Sequence, residues 1–413
     1  MPNLNDPAEA VAWLRGPQAI RARCASILEA ARAGGLAHFA LRAEHLEAAA
    51  DYVAQTIRAN YPTLDIPTHS RWRHFAVGGR DRWAELAARI GGAGTEEAAR
   101  VRFDLAVTSV LLDAGAGAAW RYREPESGAT YARSEGLAVA SFELFAGGAL
   151  SSDPERPLRA DAAGLDAMTE ARLAEAFQAG PDNPLVGLAG RAALLRRLGQ
   201  ALTAAPALFG AARPRLGNLF DYLRSRAHDG AVTAAAILAA VLDGLGPIWP
   251  GRIELGGVNL GDVWRHPAVR TRDLTDGLVP FHKLSQWLAY SLIEPLEDAG
   301  IAVTGVDELT GLAEYRNGGL FVDTGVLEPK HDGVLTETHE VGSEVVVEWR
   351  ALTVALLDAL APLVRARLGK TAAELPLAKL LEGGTWSAGR RIARDRRPGG
   401  GPPITVASDG TVF

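Results

Sequence analysis

A mainly α-helical fold is predicted by three features of the sequence. Apolar residues recur at three- and four-residue spacings along most of the chain, as one buried face of a helix requires. Alanine, leucine and arginine, all good helix formers, dominate residues 7–120. Strand-like alternation is confined to a few short segments beside Gly and Pro turns, which predicts short strands and hairpins and no large sheet.

The elements follow in order. Val11, Leu14, Ile20, Cys24 and Ile27 keep the helical period and mark one or two helices. Residues 41–61 read as a helix stopped before Pro62, because proline pushes the residue preceding it out of the α region. Residues 82–90 form a short amphipathic helix ended by Gly91-Gly92, and 102–114 the most buried-looking helix of this half. Residues 121–165 are less regular, with turn chemistry at Glu124-Pro-Glu-Ser-Gly128 and Ser151-Ser-Asp-Pro-Glu-Arg-Pro157. Helices are expected at 165–180, 186–202 and 232–245, and Gly256-Gly257 predicts a hairpin within 252–264. Residues 279–299 form a long helix that tolerates Pro295, 320–327 a strand or extended loop, and 345–368 a second long helix containing Pro362. The Gly/Pro-rich tail from Pro398 ends in 404–413, a hairpin or edge strand.

At 413 residues the chain can bury one large core or two smaller ones. It carries no Ser/Gly linker and no repeat at solenoid periods, so 1–413 is expected to form a single globular unit. A soft boundary at 205–215, marked by Pro206 and Arg213-Pro214-Arg215, would divide it into helical lobes 1–210 and 211–413. A net charge of −6 and a pI near 5.9 argue against nucleic-acid binding through a broad basic field, while leaving room for a small anion in a local Arg/Lys pocket. Cys24 is the single cysteine, which excludes an intramolecular disulfide and a Cys-rich zinc site and suits a reducing cytosol. The N-terminus lacks a signal-peptide pattern. The most apolar stretch, 231–245, contains Asp243 and Gly244 and is shorter than the roughly 20 residues that a bilayer span needs. A cytoplasmic protein with no membrane partner is expected.

Several motifs are rejected. Gly115-Ala-Gly117 lacks the third glycine and the strand–turn–helix setting of a dinucleotide site, and there is neither a P-loop nor a Gly-x-Ser-x-Gly elbow. His331, Asp332, His339 and Glu340 match no common metal-ligand spacing and read as a solvated loop. Arg390, Arg391, Arg394, Arg396 and Arg397 offer phosphate contacts or, more simply, a solvated helix end.

Residues 276–316 concentrate the chemistry, because cationic, aromatic and acidic side chains meet there among plain Ala/Leu helices. Pro280 fits a first helical turn with Asp276 upstream at a cap position, and Leu284, Trp287, Leu288, Ser291 and Leu292 form a mainly apolar stripe. Phe281 and Lys283 lie in the first turns, where free N–H groups and a lysine favour an anion. The same two residues also suit a hydrophobic staple and a solvated lysine. Glu314, Tyr315 and Arg316 precede Gly318-Gly319, which read as a turn. Either Glu314 points inward with Arg316 beside it or a bound anion, or the two form a surface pair. Glu344 and Glu348 share a helix face, as acid–base partners or as ordinary dipole partners, whereas Glu348 and Arg350 diverge.

These residues carry a resemblance. Gly277-Leu-Val-Pro-Phe-His-Lys-Leu-Ser-Gln-Trp287, Asp307-Glu-Leu-Thr-Gly-Leu-Ala-Glu-Tyr-Arg-Asn-Gly-Gly319 and the blocks 150–154, 217–223, 347–358, 381–390 and 408–413 closely resemble the uracil-catabolism family of fungi and bacteria. That family is the fourth protein of a pathway that opens the ring of uridine nucleotides. A more distant similarity is to the queuosine-salvage nucleotide hydrolases. Phe281, Lys283 and Gln286 match their Phe-Tyr-Lys-Arg-Ala-Gln block, and Leu309-Thr-Gly-Leu-Ala-Glu-Tyr-Arg316 is similar to their Leu-Thr-x-x-Ala-Asp-Tyr-Arg. Glu348-Trp-Arg-Ala351 looks like their Glu-Ile-Arg-Ala, and Ser70-Arg-Trp-Arg-His-Phe75 corresponds to Asn-Phe-x-Phe-Trp. The sequence departs from that pattern in having Glu314 for the catalytic Asp and Asn317-Gly-Gly for Val-Pro-Gln.

The resemblance implies a helical architecture like that of DNA glycosylases and cleavage of an N-glycosidic bond. Joined to the pathway, it implies hydrolysis of ribosylurea 5′-phosphate to urea and ribose 5-phosphate, with Glu314 as the catalytic carboxylate. Trp72, His74, Phe281, His282, Lys283, Arg316 and Asn317 are the expected substrate-binding residues, supported by Asp276, Gln286, Tyr315, Glu348 and Arg350. The scheme requires no metal and no cofactor. Its partners are the small nucleotide-derived substrate and other uracil-catabolism enzymes. The alternatives are a non-catalytic nucleotide-binding or scaffolding protein of the same pathway, and a glycosylase of the intact pyrimidine nucleotide.

Overall fold

Capping residues start the chain's helices where the sequence offers them. The Asp6 carboxylate accepts the N–H groups of Ala8 and Glu9, and Pro7 opens the helix Pro7–Leu14 at the position where its missing N–H costs nothing. Pro17 opens Pro17–Arg32 in the same way, and the Thr233 hydroxyl caps Ala234–Leu245. The computed structural model describes residues 2–90, 94–113, 115–249 and 252–407. It is mainly α-helical, and the strands among the described residues form six two-stranded sheets.

The helix Glu344–Leu368 is the centre of the packing. Val345, Val346, Val347, Trp349, Leu352 and Leu356 are all buried on it, and it lies against Pro17–Arg32 and Leu46–Asn60. The helix Lys283–Asp298 is enclosed by Thr95–Leu111 and Ala234–Leu245. The main apolar cluster runs from Ile20 to Ile404 and includes residues on both sides of 205–215, and a smaller cluster joins Val11 and Leu14 to Leu260, Val263 and Leu278. No helix among the described residues is long and apolar enough to cross a membrane.

Short strands tie distant segments together. Phe39–Leu41 pairs antiparallel with Leu327–Pro329, and Ala231–Thr233 pairs parallel with Ala302–Thr304. Thr338–Glu340 pairs parallel with Thr405–Ala407, which fixes the tail as an edge strand. Residues 408–413, and the expected helix stop at Gly91-Gly92, lie outside the described residues.

Five expectations are corrected by the structure. Pro280 ends a strand, Leu278–Pro280, that pairs with Val263–Arg265, and the helix begins only at Lys283 after a left-handed His282 (φ 46°). Gly318 and Gly319 are not a turn; they lie inside the helix Tyr315–Asp323. A Cβ at Gly318 would lie 2.7 Å from the Trp349 indole, so the absent side chain lets this helix approach Glu344–Leu368 closely. Residues 320–323 of the expected strand or extended loop 320–327 thus belong to this helix, and the strand is Leu327–Pro329. The expected helix over 165–180 is two short ones, Ala162–Asp166 and Glu170–Ala176, the second started by the Thr169 cap. The segment 41–61 begins as strand and 3₁₀ turn before the helix Leu46–Asn60.

The Tyr315–Asp323 helix also packs closely on Trp386–Arg396. A Cβ at Gly389 would overlap the Arg316 carbonyl oxygen. Gly389→Ala is therefore expected to cost about 1–3 kcal/mol, the range for overpacking, despite alanine's better helix propensity. Urea unfolding of the two proteins side by side measures this, and an unchanged midpoint would show that the two helices can separate freely.

Candidate active site

Asp262, immediately before the strand Val263–Arg265, organises the site. Its two carboxylate oxygens accept a bidentate pair of 2.8 Å hydrogen bonds from Arg350. They also accept Trp264 Nε1 at 2.7 Å and the Lys283 backbone N–H at 3.0 Å. Burial alone would raise the Asp262 pKa, but Arg350 and these donors outweigh it and hold the carboxyl well below the usual range. Asp262 thus takes the capping role expected of Asp276, which instead accepts the Thr271 N–H in a surface turn. Arg350 reaches further: Nε donates to the Ala313 carbonyl at 3.3 Å, and the guanidinium lies 4.1 Å from the Phe281 ring centroid. The Gln286 side chain makes a second tie. It donates to Phe281 O and Thr310 Oγ1 and accepts the Thr310 N–H at 2.8 Å. The segments carrying Lys283 and Glu314 are thereby locked together.

Between them opens a cavity of about 500 Å³. Trp287 and Trp386 wall it, and the His74 ring stands nearly perpendicular to both, with centroids 5.9 and 5.7 Å away. His69 stacks on Trp287 at 6.2 Å and shares a 2.6 Å hydrogen bond with Glu382. Burial, and then Arg71, push the His74 pKa well below its ordinary value, so this ring is neutral, and its Nδ1 has no partner among the described residues. The tail roofs the cavity with Gly401, Pro402, Ile404, Thr405 and Val406.

Glu314 caps the Tyr315–Asp323 helix at the cavity wall. Oε2 accepts the Arg316 N–H at 2.7 Å and Oε1 the Asn317 N–H at 2.6 Å, which fixes the carboxylate's direction. Burial raises its pKa against those two donors and Lys283. Burial lowers the Lys283 pKa, helped by Arg350 and opposed by Glu314, Asp262 and Asp113. The Lys283 side chain makes no hydrogen bond or ion pair among the described residues, and it faces the cavity. Asp113 is a second carboxylate on the lining, buried and bonded to Arg71 at 2.8 Å; burial raises its pKa while Arg71 and Lys283 oppose.

The structure brings His74, Lys283, Glu314 and Arg316 onto one cavity, together with Tyr315, which was expected in a supporting role. Trp72, Phe281, His282 and Asn317, expected to bind substrate, are not among the lining residues. Trp72 donates Nε1 to Ser291 O and lies under Arg102, because it falls on the other side of its short helix from His74. Phe281 is covered by Arg350, the His282 ring bonds the Leu14 carbonyl, and Asn317 Nδ2 donates to Leu312 O. Glu348 accepts the N–H groups of His38 and Phe39 and so anchors the strand Phe39–Leu41. His38, Glu344 and Glu348 have ligand-type atoms within 4.8 Å of one another, away from the cavity lining. His331 bonds His38, and His339 bonds the Val334 carbonyl.

Asp113, Arg133, Ser134, His69 and Trp386 also line the cavity, and the sequence reading gave none of them a role. Asp113 had a signal, a carboxylate ending the most apolar helix of its half, where such a group is unusual. Trp386 stands within the 381–390 block. Arg133 falls in the stretch 121–165 read as less regular and had no local signal, whereas in the structure it opens the helix Arg133–Ala146.

The family described as "Protein of unknown function (DUF1688)" matches residues 13–413, and the chain belongs to that family. Two relatives are similar over almost their whole length. "Protein urg3" of Schizosaccharomyces pombe is 39% identical over 417 residues, covering 98% of this chain and 99% of that protein. "Uracil catabolism protein 4" of Lachancea kluyveri is 41% identical over 408 residues, covering 91% of this chain and 92% of that protein.

Asp262→Asn would leave Arg350 buried without its counter-charge. The expected cost is about 3–5 kcal/mol in urea unfolding at neutral pH. Because the folded-state pKa of Asp262 is depressed, its contribution is present above the unfolded carboxyl pKa of about 3.9 and lost as pH falls through the folded value. The difference between the two proteins should therefore shrink in acid, and a gap that stays constant with pH would contradict the assignment.

Proposed function

We propose that the chain acts in uracil catabolism as a hydrolase of an N-ribosidic bond, converting ribosylurea 5′-phosphate and water to urea and ribose 5-phosphate. The relative named Uracil catabolism protein 4 supports the pathway. The observation that carries the reaction is the Glu314 carboxylate, held in one direction at the wall of a cavity that Lys283 also faces. Breaking the C1′–N bond builds positive charge on C1′ and the ring oxygen. A fixed carboxylate beside C1′ stabilises that charge and takes a proton from the water that adds there. The departing nitrogen gains a proton, and Lys283 is the nearby donor in this scheme. The indoles of Trp287 and Trp386 give a flat leaving group apolar faces to lie against, and the cavity volume is of the size that small-molecule sites use.

Purified protein is expected to release urea and ribose 5-phosphate from ribosylurea 5′-phosphate, and Glu314→Gln to lose at least about a hundredfold in kcat. Equal turnover by the variant would remove Glu314 from this role. No urea from the wild type would sink the hydrolase reading and leave a nucleotide-binding protein of the pathway.

The pH profile is a separate check. Glu314 works ionised, and its raised pKa moves the acid limb of kcat/KM above the pH of an ordinary glutamate. Lys283 works protonated, and its lowered pKa brings the alkaline limb below that of an ordinary lysine. The expected bell is narrower on both sides than an exposed Glu/Lys pair would give. An acid limb at the ordinary carboxyl pKa would count against Glu314.

A further inference from the structure

Two guanidinium groups on the cavity lining have no role in the bond-breaking scheme. Arg133 and Arg316 both face the cavity, and neither forms an ion pair with a carboxylate among the described residues. Their hydrogen-bond partners are neutral tail carbonyls. Arg316 Nη1 donates to Gly400 O at 2.7 Å, Arg133 Nη1 reaches the same oxygen at 3.5 Å, and Arg133 Nη2 donates to Gly399 O. One carbonyl thus holds two like charges side by side. Arg316 is only 5% exposed, and its other N–H groups have no hydrogen-bond partner among the described residues. Burial, and then the Arg316 charge, lower the Arg133 pKa, as expected for cations crowded without a counter-ion.

The backbone adds to this. The helix Arg133–Ala146 begins at the same corner, with no capping side chain from Ala132, and Ser134 of its first turn also lines the cavity. A helix start with free N–H groups carries partial positive charge. Arg133 itself sits in the left-handed region at φ 54°, which a side chain of this kind adopts at a cost. A buried cation and a half-buried one side by side at a helix start are unfavourable while empty and favourable around an anion.

We infer that this corner binds a phosphate monoester, with Arg133 and Arg316 as its charged ligands and the tail carbonyls of Gly399 and Gly400 as the groups that orient them. Lys283, whose electrostatic partners include the carboxylates Glu314 and Asp113, belongs to the bond-breaking end. The inference rests on the proposed reaction only in taking the ligand to be a ribose 5-phosphate derivative. It makes Arg133 a specificity residue that separates phosphorylated from unphosphorylated ribosides.

The test is calorimetric titration of the full chain with ribose 5-phosphate and with ribose. The wild type should bind ribose 5-phosphate and show no comparable binding of ribose. Arg133→Asn removes the guanidinium while tolerating the left-handed backbone, and should weaken ribose 5-phosphate binding at least tenfold with an unchanged melting temperature. Arg133→Lys should restore part of it. If ribosylurea 5′-phosphate is turned over, Arg133→Asn should raise its KM far more than it lowers kcat and narrow the preference for ribosylurea 5′-phosphate over unphosphorylated ribosylurea, which loss of a structural contact alone would not do. Undiminished ribose 5-phosphate binding by Arg133→Asn, or equal binding of ribose and ribose 5-phosphate by the wild type, overturns the inference even where urea is released. Tight, Arg133-dependent binding without urea release upholds it and overturns only the hydrolase reading.

Discussion

The geometry of the cavity depends on one buried ion pair. Lys283 and Glu314 belong to different helices, and each stands at its helix's first turn, where a small rotation would swing the side chain out of the cavity. Arg350 grips Asp262 with both ends of its fork and turns its remaining Nε to Ala313, the residue before Glu314. Asp262 in turn holds the Lys283 backbone. One planar guanidinium therefore sets two helix starts against each other. Such a pair is poor evidence for stability, since apolar packing can replace it without loss. A well-packed leucine could fill the same volume but would not specify direction. The bidentate fork does, because both N–H vectors must meet both oxygens.

Close backbone packing works with that pair. Gly318 lets the Tyr315–Asp323 helix settle on Trp349, and Gly389 lets Trp386–Arg396 settle on the Arg316 carbonyl. The helix capped by Glu314 is thus clamped from two sides by its own main chain. The Trp386 helix, held at that distance, brings its indole to the cavity. The tail is fixed by its strand pairing with Thr338–Glu340 and by the arginines under it. Wall, floor and roof are parts of one packing arrangement around the Glu344–Leu368 helix.

The helical class and the approximate place of most long helices were legible because apolar period and capping are local properties. The site was legible where its chemistry is local too: Lys283, Glu314, Tyr315 and Arg316 stood out as polar groups in a short span, and His74 through a resemblance. Their neighbours were not. Phe281 and Trp72 were expected to wall the cavity, yet a shift of two residues on a short turn reverses direction, and both face elsewhere. Pro280 and Gly318-Gly319 were read by local rules that hold for isolated segments. Pairing with Val263 and the Trp349 indole, both distant in sequence, decided them otherwise. Asp113, Arg133 and Trp386 reach the cavity from separate parts of the chain, and only the tertiary fold brings them together.

Burial of this cavity acts on its two principal ionisable groups in opposite senses. It raises the pKa of Glu314 and lowers that of Lys283, because removal from water disfavours any charge. Each charge persists partly because the other opposes that shift. In the proposed reaction both shifts point the useful way. A carboxylate with a raised pKa is a better acceptor for the proton of the attacking water, and an ammonium with a lowered pKa is a better donor to the departing nitrogen. The same removal from bulk water strengthens, in the proposed reaction, the attraction between Glu314 and the positive charge that develops at C1′. The neutral His74 and the indoles of Trp287 and Trp386 that it packs against line part of that cavity without adding a charge. Arg133 and Arg316 on the same lining carry positive charge that neither Glu314 nor Asp113 neutralises by an ion pair among the described residues. In the proposed reading, the cavity takes a ligand that carries both a negative group and a bond that becomes cationic.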